Sequence, residues 1–149
     1  MIYVECKSDV ALVESLGISR KEIEHKSGKS GVCKILQKQS NSIGLVDEDP
    51  GAGNPSYIKT LKSLNEKNDI KIFIDNINKN KLIMLCPQLE GWILKVSKKS
   101  GIKFEKYGLS NGERLHSKIN LKIPDFKKFL KELSKTDEII FLKEQFDKL

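Results

Sequence analysis

Histidine and cysteine are scarce in this 149-residue chain, and neither occurs in a metal-ligand spacing. The two histidines, His25 and His116, stand apart from any cysteine in such a pattern, which excludes zinc-finger and zinc-ribbon architectures. Cys6, Cys33 and Cys86 make an odd count with no paired spacing, so no disulfide framework is expected and the thiols are read as reduced. No apolar run approaches the roughly 20 residues of a membrane span. Residues 1–5 enter a strand rather than a secretory leader. The expectation is a cytoplasmic protein with no membrane partner. A complete phosphate-binding loop, G-x-x-x-x-G-K-[ST], is also missing. Gly28-Lys29-Ser30 matches its end, but Ile23 stands where the first glycine belongs, so ATP binding has no support. Lys29 is still placed to meet a phosphate at a helix N-terminus. There is no internal repeat and no long low-complexity linker.

What is present fits one α/β domain spanning residues 1–149. A hydrophobic content of 38% beside 32% charged residues suits a soluble globular core of this length. Met1–Val4 and Ile43–Val46 are short Ile- and Val-containing runs that end in polar residues, the pattern of buried strands in a parallel sheet. Glu5-Cys6-Lys7-Ser8-Asp9 follows the first run and Asp47-Glu48-Asp49 the second. Ligands of open α/β sheets bind at the carboxyl ends of strands. Carboxylates gathered there repel one another unless a proton or cation neutralises them, and oxygen donors favour Mg²⁺ or Mn²⁺ over zinc. Each cluster also has a plain structural reading: Asp9 as a helix N-cap and Asp47–Pro50 as a turn.

Val4-Glu5-Cys6-Lys7-Ser8-Asp9 resembles the first motif of the Toprim (topoisomerase–primase) domain, V-E-G-x-x-D, and Val46-Asp47-Glu48-Asp49 resembles its D-x-D motif. Ser27–Gly31 is similar to the glycine-containing turn before the D-x-D strand. The resemblance covers residues 1–50 well, extends loosely to about 100, and is closest to the small relatives of the overcoming-lysogenization-defect nucleases. It implies a mostly parallel central sheet with helices on both faces. It also implies a metal-dependent nuclease or nuclease subunit acting on DNA or RNA with Mg²⁺ or Mn²⁺. Glu5 would be the general acid/base or a metal ligand, and Asp47 and Asp49 metal carboxylates. Asp9 would be a further ligand, and Lys7 and Lys29 would bind phosphate. Pro87-Gln88-Leu89-Glu90-Gly91-Trp92 resembles the later acidic motif, which makes Glu90 another candidate ligand. The alternative is a non-catalytic Toprim-like module that binds nucleic acid or a partner ATPase or other protein. Cys6 departs from the motif glycine and puts a side chain where backbone would approach a phosphate.

The remaining elements read as follows. A helix runs from Ser8 or Asp9 to Leu16 and is stopped by Gly17, a short strand covers residues 22–26, and a helix spans Lys29–Lys38. Asp49–Ser56 is a Gly- and Pro-rich loop. Ile70–Ile74 and Lys81–Cys86 form β-type runs joined by an Asn-rich turn, and a helix follows Pro87 as far as about Lys99. Residues 102–123 carry weak periodicity. A helix from Pro124 buries Phe126, Phe129, Leu130 and Leu133. Another, from about Asp137, aligns Ile139, Leu142, Phe146 and Leu149. Residues 1–55 hold seven Lys and Arg against eight Asp and Glu, while residues 56–149 hold 20 against 12. The positive charge therefore lies C-terminal to the acidic clusters, with a core at about 1–100 and a basic helical extension at about 101–149. Such a surface suits a polyanionic partner.

Overall fold

The computed structural model describes residues 1–109 and 114–147. In chain order the elements are β1 (Ile2–Val4), α1 (Lys7–Ser15), β2 (Ile23–His25), α2 (Gly28–Lys38), β3 (Ile43–Asp47), α3 (Ser56–Lys59), β4 (Lys62–Lys67), β5 (Ile70–Asp75), β6 (Asn80–Leu85), α4 (Leu89–Ser100), α5 (Leu115–Leu121), α6 (Ile123–Glu132) and α7 (Asp137–Asp147). The fold is α/β. One sheet runs in the order β2-β1-β3-β6-β5-β4. Its first four strands pair in parallel, and β5 and β4 extend it antiparallel.

Because successive strand residues face opposite sides, the sheet divides its apolar side chains between two layers. Ile2, Val4, Ile43, Leu45, Ile83 and Leu85 face α1, α4 and the C-terminal helices. Tyr3, Val46, Leu82 and Met84 face α2 and α3. The larger layer takes in Trp92, Ile93 and Val96 of α4, Phe126, Phe129 and Leu130 of α6, and Ile139, Leu142 and Phe146 of α7. Helix periodicity in the sequence anticipated all three helices. Leu149 lies outside the described residues.

Three elements are absent from the sequence reading: α3, whose four residues are too few to show a period, β4 and α5. β4 was not anticipated, because all six of its residues are exposed and it has no buried face to betray a period of two. It is held as an edge strand by the two-residue turn Asn68-Asp69, where both φ values are positive at 56° and 59°. That is the left-handed geometry that tight hairpins require and that Asn and Asp tolerate. Helix α5 was also unforeseen: Leu115 and Ile119 are its only buried residues. One i,i+4 pair gives too little periodicity to distinguish a helix from a polar loop.

Gly44 brings α2 down onto the sheet. A Cβ there would lie 2.8 Å from Leu36 Cδ1 and 2.9 Å from Val32 Cγ1, inside contact distance. Gly44→Ala should therefore cost about 1–3 kcal/mol through overpacking. Gly53→Ala, which meets nothing within 4 Å, should leave the urea midpoint unchanged. Equal midpoints for the two variants would show that the layer can open without penalty.

Candidate metal centre

Glu5 is the first residue after β1, and Asp47 is the last of the neighbouring β3. Their parallel register pairs Val4 with Leu45, so the two carboxylates emerge side by side at the carboxyl edge of the sheet. Glu5 Oε1 accepts the Asp47 N–H at 2.7 Å. Asp47 Oδ1 in turn accepts the Leu89 N–H at 2.9 Å, at the free N-terminus of α4. Asp49, with φ +47°, leaves the strand in the left-handed region. Oxygens of Glu5, Asp47 and Asp49 lie within 4.8 Å of one another. Glu48, between the two aspartates, points the other way and pairs with Lys71 of β5 at 2.5 Å.

Asp9 is neither the N-cap of α1 nor a member of that triad. The helix starts two residues earlier than Asp9, with Cys6 as N-cap. Asp9 is 1% exposed. Its Oδ2 accepts the Cys6 N–H at 3.1 Å and the Cys6 S–H at 3.2 Å. Its Oδ1 is buried without a hydrogen-bond partner among the described residues. The Cys6 side chain therefore turns inward, onto Asp9 and Ser8. Its backbone is extended, with φ −152° and ψ 175°, so the position needs no glycine.

Glu90 stands in the first turn of α4, outside the triad, and its Oε1 is held by His116 Nδ1 of α5 at 2.6 Å. Asn120 bonds the other ring nitrogen at 3.0 Å. This Glu90–His116–Asn120 group had no sequence signal beyond the i,i+4 spacing of His116 and Asn120. Lys29 reaches the cluster but is engaged: its Nζ donates to Glu48 O at 2.7 Å and Asn54 Oδ1 at 3.2 Å, strapping the exposed loop after β3. Lys7 is exposed at the start of α1.

Burial without enough positive charge leaves Glu5, Asp9 and Asp47 proton-hungry. Desolvation, then the charges of Asp9, Glu5 and Glu90, push the Asp47 carboxyl up to about 8. Desolvation, with a further contribution from Glu5, pushes Asp9 up to about 7. Glu5 is raised too, chiefly by burial, with the Asp47 N–H and Lys29 pulling it back. The donor set is all carboxylate oxygen, which suits a hard divalent cation, and the unpartnered Asp9 Oδ1 is buried close by. A cleft of about 540 Å³ beside Leu94, Gly101 and Phe104 shares no residue with the cluster.

No protein-family model matches the chain, and no curated protein or solved structure matches it either. The fold and site by themselves define an α/β protein with a carboxylate cluster at the carboxyl edge of its parallel strands.

Asp47 and Asp9 hold their protons more tightly folded than unfolded, so they add stability while protonated and lose it as pH rises from about 4 to about 8. Without divalent cations the melting temperature should fall between pH 6 and pH 8.5, and Asp47→Asn should flatten that fall. A wild-type melt independent of pH across this window would show the carboxyls to be unperturbed.

Proposed function

We propose that this protein is a Toprim-like, divalent-metal-dependent phosphodiester hydrolase that acts on nucleic acid. The observation that carries the reading is the convergence of Glu5, Asp47 and Asp49 from adjacent parallel strand ends to within 4.8 Å. The two motifs that carry the Toprim resemblance supply all three residues. Mg²⁺ or Mn²⁺ bound there would supply Lewis acidity and lower the pKa of a coordinated water. The Asp47 N–H fixes one oxygen of Glu5 and so orients the carboxylate that would transfer the proton. Asp47 is fixed likewise by the Leu89 N–H. Asp9, buried beside the site, repels the Asp47 charge when ionised and so strengthens the cluster's preference for a cation. His116 holds Glu90 at the rim.

The basic C-terminal half supports a polyanionic substrate, although part of its charge is spent internally. Lys95, Lys99, Lys106 and Lys127 pair with Asp69, Glu138, Glu132 and Glu14. No helix of the described residues is long and apolar enough to cross a membrane.

Wild-type protein should nick plasmid or degrade single strands in Mg²⁺ or Mn²⁺ and not in EDTA. Asp47→Asn and Asp49→Asn should each abolish cleavage without loss of fold. About 10 mM Mg²⁺, for an assumed Kd of about 1 mM, should stabilise the wild type by roughly 1.4 kcal/mol, and the variants should lose most of that gain. Metal stabilisation without cleavage of any substrate would favour a non-catalytic module, whereas equal metal shifts in all three proteins would exclude these aspartates as ligands.

Duplex binding should weaken steeply with added salt, since the contacts expected are between lysine and phosphate. A flat salt dependence measured by fluorescence anisotropy would point to a protein partner instead.

A further inference from the structure

A second feature adjoins the acidic cluster. Along α1 runs a groove of about 260 Å³ lined by Lys7, Val10, Ala11, Glu14, Arg20, His25 and Ile123. Its floor is apolar: Val10 and Ala11 are buried and Ile123 is half-buried. Its rim carries the cations Lys7 and Arg20 together with His25, all three exposed. The single carboxylate on it, Glu14, is already paired with Lys127 at 3.3 Å.

The groove is joined to the site by the backbone. Lys7 follows Glu5 by two residues, and a His25 ring nitrogen bonds the Glu5 carbonyl oxygen at 2.9 Å. Arg20 Nη1 donates to Ile23 O at 2.6 Å, which fixes the guanidinium against the edge of β2. From Lys7 to Glu14 the helix advances about 10 Å.

We infer that this groove is the track for the polynucleotide strand flanking the scissile phosphate. Lys7 and Arg20 hold successive phosphates, and sugars and bases lie on Val10, Ala11 and Ile123. The inference rests on the phosphodiester reading above and adds a direction to it: the strand leaves the acidic cluster along α1, on the side of β2. The mixture of apolar floor and cationic rim is what distinguishes a nucleotide track from a site for a bare anion. The larger cleft near Gly101 has lysines as well but does not reach the carboxylates.

The test uses the full chain and a fluorescein-labelled ten-nucleotide oligo-dT, measured by anisotropy in EDTA over a salt series. Arg20→Ala and Lys7→Ala should each weaken binding about three- to tenfold at low salt. Each should also lower the log–log salt slope by about 0.7, the loss of one phosphate contact on a single strand. Arg20→Lys should retain most of the wild-type affinity, which separates loss of charge from loss of fold. Lys98→Ala, in the larger cleft, should bind as the wild type does. Equal losses in Arg20→Ala and Lys98→Ala, or no wild-type binding at low salt, would overturn the track. Competition by poly-glutamate as effective as unlabelled oligo-dT would assign the groove to acidic proteins and overturn it too. Because the assay omits metal, loss of the Mg²⁺-induced melting shift with groove binding intact would remove the metal reading alone. A retained shift with Arg20-independent binding would remove the groove alone.

Discussion

The parallel pairing of β1 with β3 is the contact on which the rest of the molecule turns. Their register sets Glu5 beside Asp47 at one edge of the sheet and commits the backbone N–H of Asp47 to the Glu5 carboxylate. Both strands are buried between two helical layers, so this edge has a low effective dielectric, where like charges at a few ångströms repel strongly. A fold that gathers Glu5, Asp9, Asp47 and Asp49 there carries an electrostatic cost in its metal-free state. The same packing that makes the core stable makes the site unsatisfied, and a proton or a cation relieves it.

Surrounding groups hold the carboxylates in place without neutralising them. Leu89 at the head of α4 orients Asp47, Cys6 orients Asp9, and His116 holds Glu90. Positive charge is kept to the side: Lys71 is spent on Glu48, and Lys29 bonds backbone and amide oxygens of the loop after β3. Orientation by N–H donors leaves the negative charge in place, which distinguishes this arrangement from a salt-bridged structural cluster.

The acidic strand ends were legible in the sequence because two signals coincided, short apolar runs and carboxylates immediately after them. Asp49 joins Asp47 by a different route: the strand ends at Asp47, and the left-handed turn at Asp49 brings its carboxylate back beside Asp47 while Glu48 pairs with Lys71. Less legible was what individual side-chain partners fix. Asp9 read as an N-cap or ligand; Cys6 takes the cap, and Asp9, in the first turn, is buried against it. Glu90 read as a ligand; its bond to His116, 26 positions away, was not legible, because the single buried i,i+4 pair of α5 hid that helix. β4 was invisible because strand patterning reports burial, and an edge strand exposed at every residue has none to report.

Direct counting of bound metal tests the central claim most closely. Mn²⁺ is titrated into wild type and Asp47→Asn at pH 8, with free Mn²⁺ read by its electron paramagnetic resonance signal. The account predicts saturable binding of one or two ions by the wild type and its loss or strong weakening in Asp47→Asn, with both proteins folded by circular dichroism. Absence of saturable binding in the wild type, or equal binding by the variant, would contradict it.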